Sequence, residues 1–293
     1  MEPSVRCALV QMAPALGLLR SNLERHLEWL QTPEAREADL VVFPELSLTG
    51  YLLQDLVAEV ALPVAEGGFL RPLVEASRER DVVVGLVEQS PQFLFHNTAL
   101  YLSGGRILHA HRKVYLPTYG MFDEGRYFAP GAAFETFETR FGRMGLLVCE
   151  DAWHLSAPYL LALQGAHTLL VTAGSPGRGL AVGGSEAASV RTWERVGQTL
   201  SQFLTTHWVY VNRVGYEDGL AFAGGSYVSD PFGELLLDGD ENREAVYRAD
   251  LDLGRVRRAR TLTPLLRDEK PDLVLRHLER LASRTGAPDR SGP

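Results

Sequence analysis

Short apolar runs alternate with segments of helical spacing along nearly the whole chain, a pattern typical of a layered α/β protein. Runs rich in β-branched residues predict strands at residues 5–11, 40–43, 82–87, 98–102, 106–111, 144–148, 167–171, 208–212, 225–230, 235–237 and 245–249. Helical spacing predicts helices at residues 69–80, 157–164, 186–205 and 271–283. A further helix is predicted to begin at Ser21, because Glu24 three residues later completes a capping box.

The domain organisation follows from the same pattern. No internal repeat, low-complexity tract or linker-like boundary interrupts the chain. We therefore predict a single domain over residues 1–283 and a frayed tail over residues 284–293. Two long loops break the alternation, one over residues 112–133 and a glycine-rich one over residues 174–184. Loops of this length in a compact domain are usually functional or disordered, and the aromatic residues of the first argue against disorder.

Composition and charge exclude several classes of protein. The 293 residues contain 29 Lys and Arg against 37 Asp and Glu, a formal net charge of −8. We expect no nucleic-acid partner, because binding nucleic acid needs a basic face. Two cysteines cannot form a disulfide framework, which indicates a reducing compartment. Glycines and prolines interrupt the longest uncharged stretch, residues 152–177, so we expect no membrane span and a cytoplasmic location.

Cys149 is the sharpest chemical feature of the sequence. It ends an apolar strand and is followed at once by Glu150 and Asp151. A helix beginning at this corner would offer N–H groups that lower the pKa of the thiol and stabilise an oxyanion. The alternative is an inert buried cysteine, but a core strand would not end in two acids. Those acids oppose a thiolate, so the site requires a nearby cation.

Lys113 and Glu45 complete the candidate chemistry. Only Lys113 and Lys270 are lysines among the 29 basic residues, which indicates a specific use for the ammonium at position 113. Glu45 ends another buried strand, and its carboxylate could take the thiol proton and return it to a leaving amine. The alternatives are a solvated lysine and a capping glutamate. Three strand ends can bring nucleophile, base and cation to one rim of a sheet.

These segments resemble the signature blocks of the nitrilase, or carbon-nitrogen hydrolase, superfamily. Glu45, Lys113 and Cys149 match its Glu-Lys-Cys set in order and context. The resemblance implies a four-layer α-β-β-α sandwich, attack of a thiol on an amide or nitrile carbon, an acyl-enzyme and its hydrolysis. Glu124 matches a second glutamate of the superfamily. The resemblance also implies a homodimer or a higher homo-oligomer.

Four segments resemble the glutaminase domain of glutamine-dependent NAD synthetases: residues 44–51, 116–124, 149–153 and 222–227. By position, this resemblance implies that Tyr51, Tyr119 and Glu150 line the substrate pocket and that Ser175 contacts the α-amino or carboxylate group of the substrate. Ordinary packing of the two tyrosines and a turn at Ser175 are the alternatives. The chain lacks the phosphate-binding loop of the synthetases. Its glycine-rich loop over residues 174–184 also lacks the lysine that the glutaminase domains would lead us to expect there.

Three functions follow from these comparisons of motifs. The first is hydrolysis of a small carboxamide, with glutamine as the leading substrate. The second is a glutaminase subunit that is active only when it supplies ammonia to a separate NAD synthetase. The third is an N-carbamoyl amidase or a nitrilase. We expect no cofactor for any of them.

Other polar features of the sequence carry less chemistry. His109 and His111 share a strand face without an evident third ligand, so we expect no metal site. His154 lies too close along the chain to serve Cys149 as a base. The four arginines within residues 255–260 are expected to form a solvated surface or a subunit contact.

Overall fold

The computed structural model describes residues 4–177, 188–240 and 242–284. Its strands are β1 (Ser4–Gln11), β2 (Leu40–Val42), β3 (Asp81–Gln89), β4 (Phe95–Ser103), β5 (Arg106–Arg112), β6 (Thr136–Thr139), β7 (Gly142–Val148), β8 (Thr168–Ala173), β9 (His207–Asn212), β10 (Val214–Glu217), β11 (Leu220–Ala223), β12 (Tyr227–Ser229), β13 (Leu235–Asp238) and β14 (Ala245–Asp252). Its α-helices are α1 (Leu19–Trp29), α2 (Pro33–Arg36), α3 (Val57–Val60), α4 (Arg71–Ala76), α5 (Glu124–Tyr127), α6 (Ser156–Leu163), α7 (Ala188–Leu204), α8 (Leu253–Leu262), α9 (Leu265–Asp268) and α10 (Pro271–Arg284). Short 3₁₀ helices span Gln54–Leu56, Gly68–Leu70 and Cys149–Trp153.

Two six-stranded sheets form the centre of the molecule. The first sheet has the order β14-β1-β2-β3-β4-β5, and the second has the order β13-β12-β9-β8-β7-β6. In the first sheet β1, β2 and β3 run parallel, and in the second sheet β7, β8 and β9 do. The outer strands of both sheets pair antiparallel. β10 and β11 form a separate hairpin.

Alternate residues of the strands bury opposite faces of the sheets. On β1, Cys7 and Leu9 face the second sheet, whereas Ala8 and Val10 belong to the cluster that packs on α1 and α4. Both faces of the central strands are therefore apolar, which explains their continuous hydrophobic runs. On the other side, Trp193 of α7 joins the same core as the second sheet. The result is the predicted four-layer α-β-β-α sandwich.

The start of the first helix differs from its prediction. α1 begins at Leu19, so Ser21 lies inside the helix, and the N-cap residue Leu18 makes no side-chain hydrogen bond. Asn22 anchors this end instead. Its side chain accepts from the N–H of Ala15 and donates to the carbonyl of Ala15, both at 2.7 Å. A tertiary contact to the preceding loop has replaced the local cap that the pattern predicted.

Several elements went unpredicted, among them β6, the β10–β11 hairpin and α8. The arginine run at residues 255–260 lies on α8, where Val256 and Ala259 are buried. Arg255 pairs with the buried carboxylate of Asp230. The interpretation of this run as a solvated surface is therefore wrong in part, because one helical face of it packs against the sheet.

The ends of some predictions fall beyond the described ranges. Residues 178–184 of the glycine-rich loop and residues 186–187 of the predicted helix lie outside the described residues. Arg284 is the last residue of α10 rather than part of a tail, and residues 285–293 lie outside the described residues as well. Within the described ranges, no helix has an apolar stretch long enough to cross a membrane.

Candidate active site

Glu45 lies in a tight, fully buried turn directly after β2. The next residue, Leu46, has a φ of +49°, in the left-handed region that β-carbon sterics disfavour. The turn is held against β3, where the N–H of Leu48 donates to the carbonyl of Gly85 at 2.9 Å. Gly85 has no room for a side chain, because a β-carbon there would stand 2.4 Å from the backbone nitrogen of Leu46. The close approach of β3 therefore sets the direction of Glu45.

Cys149 occupies a comparable corner after β7. It is the first residue of a 3₁₀ helix, and its φ is +45°. Left-handed backbone at a non-glycine residue costs on the order of 1–3 kcal/mol and is found preferentially at functional sites. Only 6% of Cys149 is exposed, and that fraction faces a cavity. The sequence predicted the corner but not this conformation.

Asp151 ties the Cys149 corner to the segment that follows β5. Its Oδ1 accepts from the N–H groups of Val114 and Tyr115, each at 3.0 Å. Its Oδ2 accepts from the Nε2 of His111 at 2.8 Å and from the N–H of Val148 at 3.1 Å. Because these partners flank both Lys113 and Cys149 in sequence, one buried carboxylate fixes the two strand ends relative to each other.

Lys113 is buried between two carboxylates. Its Nζ donates to Oε1 of Glu45 and to Oε1 of Glu124, both at 2.8 Å. Glu45 also accepts from the Nδ2 of Asn97 at 2.7 Å and from the N–H of Gly174 at 2.6 Å. A carboxylate with these partners is held in a single orientation. The described structure thus brings Glu45, Lys113 and Glu124 into direct contact.

The electrostatics of this cluster depend on burial and on the balance of opposite charges. Burial lowers the pKa of the Lys113 ammonium, but the carboxylates of Glu124 and Glu45 outweigh it and hold that pKa well above its usual value. Burial raises the pKa of Glu124 to about 7, against the opposing effect of Lys113. The lysine therefore stays a cation, and Glu124 is a carboxyl group that can hold a proton near neutral pH.

The Cys149 thiol behaves differently from its sequence-based expectation. Burial and the charge of Glu45 raise its pKa well above the usual value, and the opposing effect of Lys113 is smaller. The expectation that the following helix lowers this pKa is wrong. A five-residue 3₁₀ helix cannot offset desolvation and two nearby carboxylates. Cys149 is therefore a protonated thiol at neutral pH.

Cys149 lines a cavity of about 250 Å³ that also contains Tyr119, Glu150 and Ser175. The Tyr119 hydroxyl lies 2.9 Å and 3.1 Å from the two carboxylate oxygens of Glu150 and donates to that carboxylate. Ser175 accepts a hydrogen bond from Nε1 of Trp193 at 2.8 Å. Three of the four residues that the sequence suggested for substrate binding therefore share one cavity with the thiol.

Tyr51 is the fourth of these residues, and it lies elsewhere. It lines a neighbouring cavity of about 290 Å³, and its hydroxyl donates to Glu124 Oε1 at 2.5 Å. Phe122 is common to the walls of both cavities. Tyr51 thus acts on the glutamate of the cluster and does not line the cavity that contains Cys149.

Four further residues of the site escaped the sequence analysis: Asn97, Gly174, Trp193 and Asn212. The side chain of Asn212 holds the Ser175 loop by accepting from the N–H of Ser175 at 2.8 Å and donating to its carbonyl at 3.1 Å. Trp193 packs edge-to-face against Trp153, with ring centroids 4.9 Å apart. These residues come from strands and helices far apart in sequence, and no local motif marks them.

The histidines take structural positions. His111 bonds to Asp151, His109 stacks on Phe137 and His154 stacks on Tyr115. Among the residues that the structure describes, no group of three or more His, Cys, Asp or Glu side chains could hold a metal ion.

Comparison with known proteins assigns the family. The model of the carbon-nitrogen hydrolase family matches residues 6–261, most of the chain. The chain belongs to the carbon-nitrogen hydrolase family. It is therefore a hydrolase that acts on carbon–nitrogen bonds, and the resemblance inferred from its motifs is confirmed.

Both synthetases and amidases are similar to this carbon-nitrogen hydrolase. A glutamine-dependent NAD(+) synthetase of Acinetobacter baylyi is 32% identical over 256 residues, which cover 87% of this chain and 45% of the synthetase. An (R)-stereoselective amidase of a Pseudomonas species is 34% identical over 271 residues, or 91% of this chain and 92% of the amidase. A crystal structure of a carbon-nitrogen hydrolase from Helicobacter pylori matches with a TM-score of 0.82 at 25% identity, covering 94% of this chain and 99% of that one. The chain spans about half the length of the synthetases it matches.

Proposed function

We propose that this carbon-nitrogen hydrolase cleaves a small carboxamide to a carboxylate and ammonia through a thioester on Cys149. One observation carries the proposal. The carboxylate of Glu45 is hydrogen-bonded to the Lys113 ammonium, and both charges act on a thiol that lines a small cavity. Base, cation and nucleophile are the three groups that amide cleavage by a thiol needs.

The first half-reaction forms the acyl-enzyme. Glu45 accepts the proton of the Cys149 thiol as Sγ attacks the amide carbon. Negative charge develops on the substrate oxygen, and the buried Lys113 ammonium stabilises it. Glu45 then returns the proton to the nitrogen as the carbon–nitrogen bond breaks, so that ammonia leaves and a thioester remains.

The second half-reaction restores the enzyme. Glu45 takes a proton from a water molecule that attacks the thioester carbon. The carbon–sulfur bond then breaks, and Glu45 returns the proton to Sγ. The product leaves as a carboxylic acid, which loses its proton to the solvent and becomes the carboxylate. Glu124 keeps Lys113 in position throughout, through the 2.8 Å hydrogen bond between them.

The lining of the cavity supports a polar substrate of limited size. Drug-sized ligands occupy pockets of roughly 300–1,000 Å³, and the cavity at Cys149 is smaller, about 250 Å³. Glu150 offers a carboxylate to an amino group of the substrate, beside an aromatic wall formed by Trp153 and Trp193. Glutamine, which carries an amino group and a side-chain amide, is our leading candidate.

Ammonia release from a panel of compounds tests the proposal. The panel contains glutamine, other ω-amides, aliphatic amides, N-carbamoyl amino acids and nitriles. We expect release from at least one carboxamide by the wild type and none by Cys149→Ala. The matched control is Cys7→Ala, which removes the other, fully buried cysteine, and we expect it to keep wild-type turnover. Wild-type turnover by Cys149→Ala would sink the proposal, as would release only from a nitrile or an N-carbamoyl compound.

A second candidate function is supported by the synthetase relatives. In this alternative the chain is a glutaminase that supplies ammonia to a separate NAD synthetase and is active only when bound to it. The observation in its favour is the 32% identity to the Acinetobacter baylyi synthetase over 87% of this chain. Release from glutamine that depends on Cys149 and rises on addition of an ammonia-dependent NAD synthetase would favour this alternative. Equal rates with and without the synthetase would exclude it.

A further inference from the structure

A buried ion pair lies close to the catalytic cluster and has no part in the reaction described above. Arg213 and Glu217, which are 1% and 5% exposed, pair through Nη1 and Oε1. Among the described residues, Nε and Nη2 of Arg213 have no hydrogen-bond partner. Burying such a pair contributes little to stability in general, since apolar residues of the same volume often do as well. Its position therefore calls for another explanation.

The second carboxylate oxygen of Glu217, which does not pair with Arg213, holds the backbone of Tyr51. Oε2 of Glu217 accepts from the N–H groups of Tyr51 and Leu52, each at 3.0 Å. The guanidinium of Arg213 lies over the ring of Phe222, 4.1 Å from its centroid. Phe222 in turn packs edge-to-face on the Tyr51 ring at a centroid distance of 5.7 Å. The ion pair thus fixes Tyr51 both at its backbone and at its ring.

Tyr51 connects the ion pair to the catalytic cluster through its hydroxyl. Its hydroxyl donates to Oε1 of Glu124 at 2.5 Å, and the same oxygen accepts from Nζ of Lys113 at 2.8 Å. Oε2 of Glu124 has no partner among the described residues. Tyr51 and Lys113 are therefore the two groups that the structure shows holding the Glu124 carboxylate.

We propose that Arg213 and Glu217 are positioning residues for amide hydrolysis, acting on Glu124 and Lys113 through Tyr51. This inference rests on the proposed function for its activity readout. The chain of contacts runs from Glu217 through the backbone of Tyr51 to its hydroxyl, and each link is a hydrogen bond of 3.0 Å or less.

A double-mutant cycle between Glu217→Gln and Tyr51→Phe tests whether the two residues act through one path. We expect each single variant to lower kcat about tenfold with little change in KM, since small displacements of a catalytic group cost rate. Because the path is shared, the double variant should also lose about tenfold rather than about a hundredfold. Additive losses, or a wild-type kcat for Glu217→Gln, would overturn the proposal.

Asp230→Asn is the matched structural control. Oδ1 of Asp230 accepts from the N–H groups of Phe232 and Glu234, and its other oxygen pairs with Arg255. Like Glu217, Asp230 is a buried carboxylate that accepts from two backbone N–H groups and pairs with an arginine. It follows β12 and lies near the start of β9, whereas Asn212 of the site lies at the end of β9. We expect Asp230→Asn to lower Tm without changing kcat. An equal loss of kcat in this variant would mean that any lost buried carboxylate slows the enzyme, and would overturn the proposal.

Two further measurements separate the proposal from a failure to fold and from a wrong function. Arg213→Lys keeps a cation beside Glu217 and should retain more kcat than Arg213→Met at equal Tm; equal losses would contradict a positioning role. If the wild type releases no ammonia, the cycle is repeated on alkylation of Cys149 by iodoacetamide, which needs no turnover. The rate constant for alkylation should change by the same factor in the two single variants and in the double variant. A change in the double variant equal to the product of the two single changes would overturn the inference.

Discussion

At the scale of single residues, the site is a set of buried charges that offset one another. Lys113 is 1% exposed and Glu45 is fully buried, so neither charge is screened by water. Two carboxylates face one ammonium. Burial, together with the charge of Glu45, raises the pKa of Glu124 to about 7 and raises the pKa of the Cys149 thiol well above its usual value. The cluster therefore keeps the Cys149 thiol protonated.

A raised thiol pKa predicts the pH dependence of Cys149 alkylation. Because the thiolate is the reactive form, its fraction grows about tenfold per pH unit below the pKa. We expect the rate constant with iodoacetamide to rise continuously between pH 6 and pH 9. A plateau near pH 7 would show that the pKa is depressed and would contradict the structure. Cys7, fully buried and with a raised pKa, should remain unlabelled in the native protein.

Residue types and their positions at strand ends nominated Glu45, Lys113 and Cys149, and the resemblance to the superfamily added Glu124. The structure brings Glu45, Lys113 and Glu124 into hydrogen-bond contact. Their roles in catalysis stay a proposal. The direction of the thiol pKa was not predictable, because it depends on burial and on distances between residues that are remote in sequence.

At the scale of elements, the turns that follow β2 and β7 share a left-handed backbone conformation. β2 ends three residues before Glu45 and β7 ends one residue before Cys149. Each of the two turns includes a left-handed residue, Leu46 or Cys149. Neither residue type favours that conformation. At Leu46 the neighbouring strand imposes it, because β3 approaches the turn closely at Gly85.

Gly85→Ala tests how β3 controls the turn at Glu45. A β-carbon at residue 85 would stand 2.4 Å from the nitrogen of Leu46 and 2.9 Å from the carbonyl oxygen of Pro44. The backbone must shift, so we expect kcat to fall at least about tenfold and Tm to fall as well. The control is Gly67→Ala, where a β-carbon meets nothing within 4 Å. Wild-type kcat for Gly85→Ala would mean that the turn does not depend on this approach.

At the scale of the whole molecule, stability depends on a histidine buried under the Glu45 turn. His26 is fully buried, its Nδ1 donates to the carbonyl of Asn22 at 2.7 Å, and its Nε2 lies 2.9 Å from the hydroxyl of Ser47, which donates to it. Burial lowers the pKa of His26 to about 4 from a usual value of 6.5. The unfolded chain therefore binds a proton that the folded chain rejects between these two values.

This histidine predicts acid destabilisation with a defined sign. The contribution is fully present above pH 6.5 and is lost as the pH falls towards 4, by about 3 kcal/mol in total. Urea unfolding at several pH values should show a smaller decrease in unfolding free energy over this range for His26→Gln than for the wild type. His277→Gln, at an exposed position on α10, serves as the control and should follow the wild type. Equal slopes for His26→Gln and the wild type would contradict the assignment.

Some properties of the whole molecule stay proposals. The single domain over residues 1–283, the homo-oligomer and the cytoplasmic location were all inferred from sequence or from resemblance. Leu275 and Leu278 of α10 are more than half exposed, at 56% and 57%, which supports contact between copies of the chain. Sedimentation at known protein concentration measures the oligomeric state directly.

The sequence by itself determined the layered α/β class, most strands and the identity of the catalytic candidates. These depend on local signals, namely apolar periodicity and short motifs at strand ends. It misplaced the start of α1, because Asn22 bonds to the preceding loop in place of a cap at Ser21. Only the tertiary structure decided that Tyr51 holds Glu124, that Glu217 holds Tyr51 and that the Cys149 thiol keeps its proton. Each of these depends on burial and on contacts between residues far apart in sequence. Local sequence patterns predict neither burial nor such contacts.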